Sequence, residues 1–228
     1  MFNLDYLKMS HDRAHKQLKE FSMHENVQIY IKDQMPDGID IKDILDKINS
    51  AIPRHLTNEI DSIYIGMFAE FEEMETNAMF KDGAIYVTND QDDEQDLIDD
   101  IVHEIAHSLE NPYGHIIYAD GHLEREFLAK RMRLYEILKA EGLKPSKNFF
   151  EDPEYHKEMD LYLYKKVGYD RLNFIVSSYG LFTSAYSATS LREYFANGFE
   201  YFFLDDRNYL SEICPVLYDK IKEVYQDD

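Results

Sequence analysis

The chain has 228 residues, of which 45 are acidic and 24 basic, giving a formal charge of −21, and 44% are hydrophobic. The apolar content excludes wholesale disorder and supports a sizeable core. The charge repels phosphate backbones and anionic lipid, so neither nucleic acid nor a membrane is an expected partner. Cys214 is the sole cysteine, which excludes an internal disulfide and a cysteine-built zinc site.

The chain opens without the unbroken apolar stretch of a signal peptide, and no run approaches the ~20 apolar residues of a membrane span. Cytoplasm is therefore the expected setting. Residues 4–22 carry Leu4, Leu7, Leu18 and Phe21 as a broken apolar stripe, which predicts a helix. VQIYIKD (27–33) alternates and is β-branched, so it reads as a strand, and MPDG (35–38) reads as a turn. Asp40 is placed to cap a helix running to Ala51, with Ile41, Ile44, Leu45 and Ile48 at helical spacing and Pro53 beyond its end. SIYIGMFAEF (62–71) predicts a second strand. AIYVTN (84–89) predicts a third, entered through the Asp82-Gly83 turn. This third strand suits either an edge that an extended peptide could join or an ordinary interior position. The acidic run DQDDEQD (90–96) suits the solvated start of a helix and lacks the spacing of a calcium loop.

Helices dominate the remainder. One is expected over 121–142, capped by Asp120, then a loop over 147–155, short helices over 156–168 and 170–179, and a loop over 181–190. An apolar helix over 191–204 and an amphipathic one over 215–225 close the chain. The pattern is α+β: a small mixed sheet packed on a helix that carries the chemistry, followed by a mainly helical C-terminal lobe. It is read as a single domain over 1–228, with an α/β lobe to about 110 and a helical lobe from about 111.

His103-Glu104-Ile105-Ala106-His107 is an H-E-x-x-H. Positions i and i+4 share a helix face, so both imidazoles can reach one zinc ion, and Glu104 sits to the side where it can touch a water without being a ligand. On a helical wheel Leu97, Ile98, Ile101, Val102, Ile105 and Leu109 cluster on one side while His103 and His107 point roughly the other way. The remaining histidines show no ligand spacing and read as satisfied polar residues.

A catalytic zinc takes three protein ligands and keeps one open position. Glu110 and Tyr113 stand where a metzincin would need Gly and His, which excludes that class. Two glutamates compete for the third ligand. Glu126 stands at a spacing that resembles thermolysin-like and aminopeptidase gluzincins, in charged surroundings that suit a solvated helix. Glu193 lies in the aromatic segment SLREYFANGFEYFF, where a carboxylate is costly unless paired by a metal or by a cation such as Arg192. Asn197 falls at i+4 on the same face, placed to orient a zinc histidine from behind.

HEIAH followed by YSATSLREYFANGFEYF resembles the lethal factor catalytic-domain family, which also contains the secreted Pro-Pro endopeptidases. That resemblance implies a zincin-like fold with one Zn²⁺ held by His103, His107 and Glu193, with Glu104 as the catalytic base. It also implies an oxyanion-binding role for Tyr186, seven residues before Glu193. The long segment between His107 and Glu193 implies inserted helices around 121–175. The expected activity is a zinc-dependent endopeptidase acting on a peptide or protein. The rival reading is a catalytically silent, metal-stabilised binding or inhibitor module, for which the tyrosine-rich second half would supply an interface.

Overall fold

The computed structural model describes residues 19–69, 71 and 76–227. They are mixed α and β, and the chain divides into two compact units, Met1–Ser108 and Leu109–Asp228. The division falls inside one continuous helix.

The first unit holds a five-stranded sheet of β1 (Lys19–Met23), β2 (Val27–Ile31), β3 (Ser62–Ile65), β4 (Ala78–Lys81) and β5 (Ala84–Val87), ordered β1-β2-β3-β5-β4. β2, β3 and β5 run parallel, and antiparallel β1 and β4 form the two edges. The period-two alternation legible in β2 and β3 sets the register. Ile29, Ile63 and Ile85 align across the three parallel strands, as do Ile31, Ile65 and Val87, and all six are buried. On the opposite face Tyr30, Tyr64 and Tyr86 stack in a row, with ring centroids 5.1 and 5.3 Å apart. Helix α1 (Ile41–Ala51) buries Ile41, Ile44, Leu45 and Ile48, and the Asp40 side chain accepts from the Lys42 amide at 2.9 Å as its N-cap.

Several sequence expectations are corrected here. Most of the helix expected over 4–22 lies outside the described residues, and its end is strand β1, because His24 and Glu25 adopt positive φ and fold 19–23 back onto β2. The strand expected over 62–71 stops at Ile65. AIYVTN is interior: β5 sits between β3 and β4, so β4, which follows no clear alternation, takes the edge. The Asp82-Gly83 turn joins the two, both residues at positive φ as a tight hairpin demands.

Helix α2 (Glu94–Ile117) begins where the acidic run predicts, the Asp93 carboxylate accepting from the amides of Gln95 and Asp96 at 2.7 and 3.1 Å. Leu97, Ile98, Ile101, Val102, Ile105 and Leu109 are all buried, as the wheel requires.

The second unit comprises α3 (His122–Ala140), α4 (Lys147–Phe150), α5 (Lys157–Tyr162) with a π-helical continuation Leu163–Val167, α6 (Tyr169–Ser178), a 3₁₀ turn Tyr186–Ala188, α7 (Leu191–Leu204), α8 (Arg207–Ile213) and α9 (Pro215–Gln226). The turn at 147–150 lies in a segment expected to be loop, and α8 was not anticipated. The Asp120 carboxylate accepts from the His122 amide at 2.9 Å, at the start of α3. Phe127, Phe182 and Tyr194 form an aromatic knot with centroids 5.4 to 6.1 Å apart. Among the described residues no helix is long and apolar enough to cross a membrane.

Gly198 fixes how closely α7 and α9 approach, since a β-carbon there would sit 2.8 Å from Leu217 Cγ. Gly198→Ala is expected to force Leu217 off its rotamer and destabilise the protein by about 1–2 kcal/mol, after the helix propensity gained by alanine. Thermal unfolding checks this; an unchanged or raised midpoint would contradict it.

Candidate metal centre

His103 and His107 lie one turn apart on α2, their rings edge to face with centroids 4.9 Å apart. Both are half-buried, on the side of the helix away from its apolar stripe. Glu193 occupies the first turn of α7. Ser190 caps that helix, its hydroxyl accepting from the Glu193 amide at 3.2 Å, and the Leu191 amide donates to Pro153 O at 2.8 Å. One ligand atom from each of His103, His107 and Glu193 lies within 4.8 Å of the other two. Two imidazole nitrogens and a carboxylate oxygen form a donor set that zinc accepts, and such a separation suits ligands around one ion. The structure thus brings together three residues that could hold a metal ion.

The competing glutamate has other work. Glu126 accepts hydrogen bonds from the Tyr194 hydroxyl at 2.8 Å and from the amides of Val216 and Leu217 at 3.0 and 3.1 Å. It is neither a solvated helix residue nor part of the candidate centre. It caps α9, whose own N-cap residue Cys214 offers no side-chain bond. Glu126→Ala would leave the buried Tyr194 hydroxyl and two helix amides without this partner. A loss of about 1–3 kcal/mol is expected, with metal affinity unchanged. Thermal unfolding and zinc titration of this variant check both halves.

Glu104 is buried, 7% exposed, and one carboxylate oxygen accepts from the Phe80 amide at 2.6 Å. The register explains this bond: the Asn77–Thr88 pair is hydrogen-bonded, so Phe80, three residues along, turns its N–H away from β5 and outward from the edge. Sequence reasoning did not anticipate this contact, because β4 carried no pattern to find it by.

Tyr186 opens the 3₁₀ turn before α7, with 39% of its surface exposed. Asn197, expected behind a zinc histidine, makes its hydrogen bonds within the second unit. Its Nδ2 donates to the Glu193 carbonyl at 3.0 Å and its Oδ1 accepts from the Ser184 hydroxyl at 2.6 Å. The reason is local: α-helical spacing puts residue 197 one turn above residue 193, facing the 181–190 segment. Ser184 also accepts from the Ser187 amide at 3.1 Å, so Asn197 ties the turn bearing Tyr186 to α7.

The cation weighed as a partner for Glu193 is also redirected. Arg192 Nε donates to Glu110 Oε2 at 2.7 Å. Glu110 shares the His103/His107 face of α2, about 4.5 Å further along the axis than His107 at 1.5 Å per residue. Position i+3 from His107 was the signal that could have singled it out. Close by, burial pushes the Tyr118 hydroxyl pKa up, with Glu110 and Glu193 adding to the shift and Arg192 opposing it. Two other histidines have ordinary partners: His24 Nε2 lies 2.8 Å from Ile52 O, and His156 Nε2 lies 2.8 Å from Asp152 Oδ2.

Comparison with family models, with curated proteins and with solved structures finds no match.

Proposed function

We propose that this chain is a zinc-dependent endopeptidase, zincin-like in fold and of the gluzincin kind, related in its site to the lethal factor catalytic-domain family. The observation that carries the reading is the meeting of His103, His107 and Glu193 within 4.8 Å, two of them from an H-E-x-x-H whose glutamate is not part of the group. A bare zinc clip has no use for that buried fourth residue; hydrolysis does.

A zinc ion held there supplies Lewis acidity and lowers the pKa of a coordinated water to about 7. The chain's own residues do the rest. Glu104 takes the proton from the attacking water and passes it to the leaving amine, a contribution of roughly 10²–10⁴-fold. The bond from the Phe80 amide holds one of its oxygens and so restricts how the carboxylate can turn. Tyr186 donates to the developing oxyanion, and Asn197 steadies its turn through Ser184. With β5 interior, an extended substrate would have the β4 edge to pair with, and there the Phe80 N–H is already held by Glu104, leaving its carbonyl and the groups of Ala78.

The test is cleavage of a diverse peptide set by zinc-loaded protein, abolished by a chelator and restored by zinc. A protein that binds zinc and cleaves nothing across this set would overturn the peptidase reading and leave a metal-stabilised binding module.

A further inference from the structure

Arg192 is an odd residue for its position. It stands in the first turn of α7, where the helix dipole disfavours a cation. Its side chain is 61% exposed, whereas the Glu110 carboxylate it pairs with is only 12% exposed. An ion pair with one member so exposed contributes little to stability. The geometry of the pair is more informative than its strength. The bond to Glu110 is made by Nε, which tethers the guanidinium at its inner edge. Among the described residues no further hydrogen bond is made by its two terminal nitrogens, which carry four N–H donors on a rigid fork. The next residue is Glu193, close enough for its charge to act on Arg192.

A planar fork of N–H donors, pinned at its inner edge and open at its outer edge, matches a carboxylate bidentately. A chain with 45 acidic residues against 24 basic ones repels anions at long range, so an acidic group would be accepted here only by a local cation. We propose that Arg192 recognises a carboxylate of the substrate, either a peptide C-terminus or an Asp or Glu side chain, presented beside the metal centre. Glu110 acts through Arg192 as its positioning residue. This rests on the peptidase reading for where the substrate lies.

The experiment measures binding without turnover, using zinc-loaded protein carrying Glu104→Gln. Fluorescence anisotropy compares labelled peptides in matched pairs: free C-terminal acid against amide, and internal Glu against Gln. One carboxylate member should bind at least about tenfold more tightly than its uncharged twin, the order expected of a charge-assisted bidentate contact. The pair in which the preference occurs identifies the carboxylate's source. Arg192→Met should collapse the ratio to about one while leaving the uncharged twin's affinity unchanged, and Arg192→Lys should keep only part of the preference. Glu110→Gln, which breaks the same ion pair but leaves the guanidinium, should keep a preference. That separates recognition from a merely structural loss. Equal binding of acid and neutral twins, a ratio that survives Arg192→Met, or no binding of any carboxylate peptide overturns the proposal. Zinc content measured on the same samples reports on the metal reading separately, because failure there leaves the peptide ratios readable.

Discussion

On the proposed zinc reading, Glu193→Ala is expected to strip the protein of zinc while leaving it folded. The side chain is half-buried in the first turn of α7, and the cap on that helix comes from the Ser190 hydroxyl to the backbone amide of residue 193, which alanine retains. What disappears is one of three ligand atoms clustered within 4.8 Å. Losing a partner that only orients a ligand costs about 10–100-fold in metal affinity; losing the ligand itself should exceed about 100-fold. Competition with a coloured chelator reads this directly, with circular dichroism confirming the fold. Glu126→Ala is the control that gives the result meaning, since it should behave in the opposite way, losing stability through α9 and keeping the metal. Zinc retained in Glu193→Ala and lost in Glu126→Ala would reverse the ligand assignment.

If the chain is the proposed peptidase, Glu104→Gln is expected to keep zinc and lose peptide cleavage by about 10²–10⁴-fold, the usual range for removing a positioned general base. Glutamine is nearly isosteric and its amide oxygen can still accept from the Phe80 amide, so the buried position is not left with an orphaned donor. The change removes the negative charge and with it the ability to take a proton. Turnover of a cleaved peptide, compared at matched zinc occupancy, checks it. A variant that keeps wild-type turnover would show that another group is the base.

What the sequence disclosed, and what it hid, follows from the range of the interactions involved. The helix capped by Asp40 was legible because capping and 3.6-residue periodicity are local, whereas the Ser190 cap of α7 emerges only in the structure. The buried face of α2 was legible for the same reason, and with it the outward direction of His103 and His107. The edge strand β4 was not. Its four residues, Ala78–Lys81, show no alternation, and only its pairing with β5 makes it a strand. The same cause hid the bond between the Phe80 amide and Glu104. Glu126 was misjudged because its charged neighbours describe its own helix, whereas its partners come from residues 194, 216 and 217.

The central claim is that two imidazoles and one distant carboxylate converge on a single divalent ion. X-ray absorption at the zinc edge, on protein loaded with one equivalent of zinc, tests it most directly. The expected result is a first shell of nitrogen and oxygen only at about 2.0–2.2 Å, with two imidazoles, and a change in that shell on Glu193→Ala. A sulfur scatterer near 2.3 Å, a shell without imidazole, or a spectrum indifferent to residue 193 would contradict it.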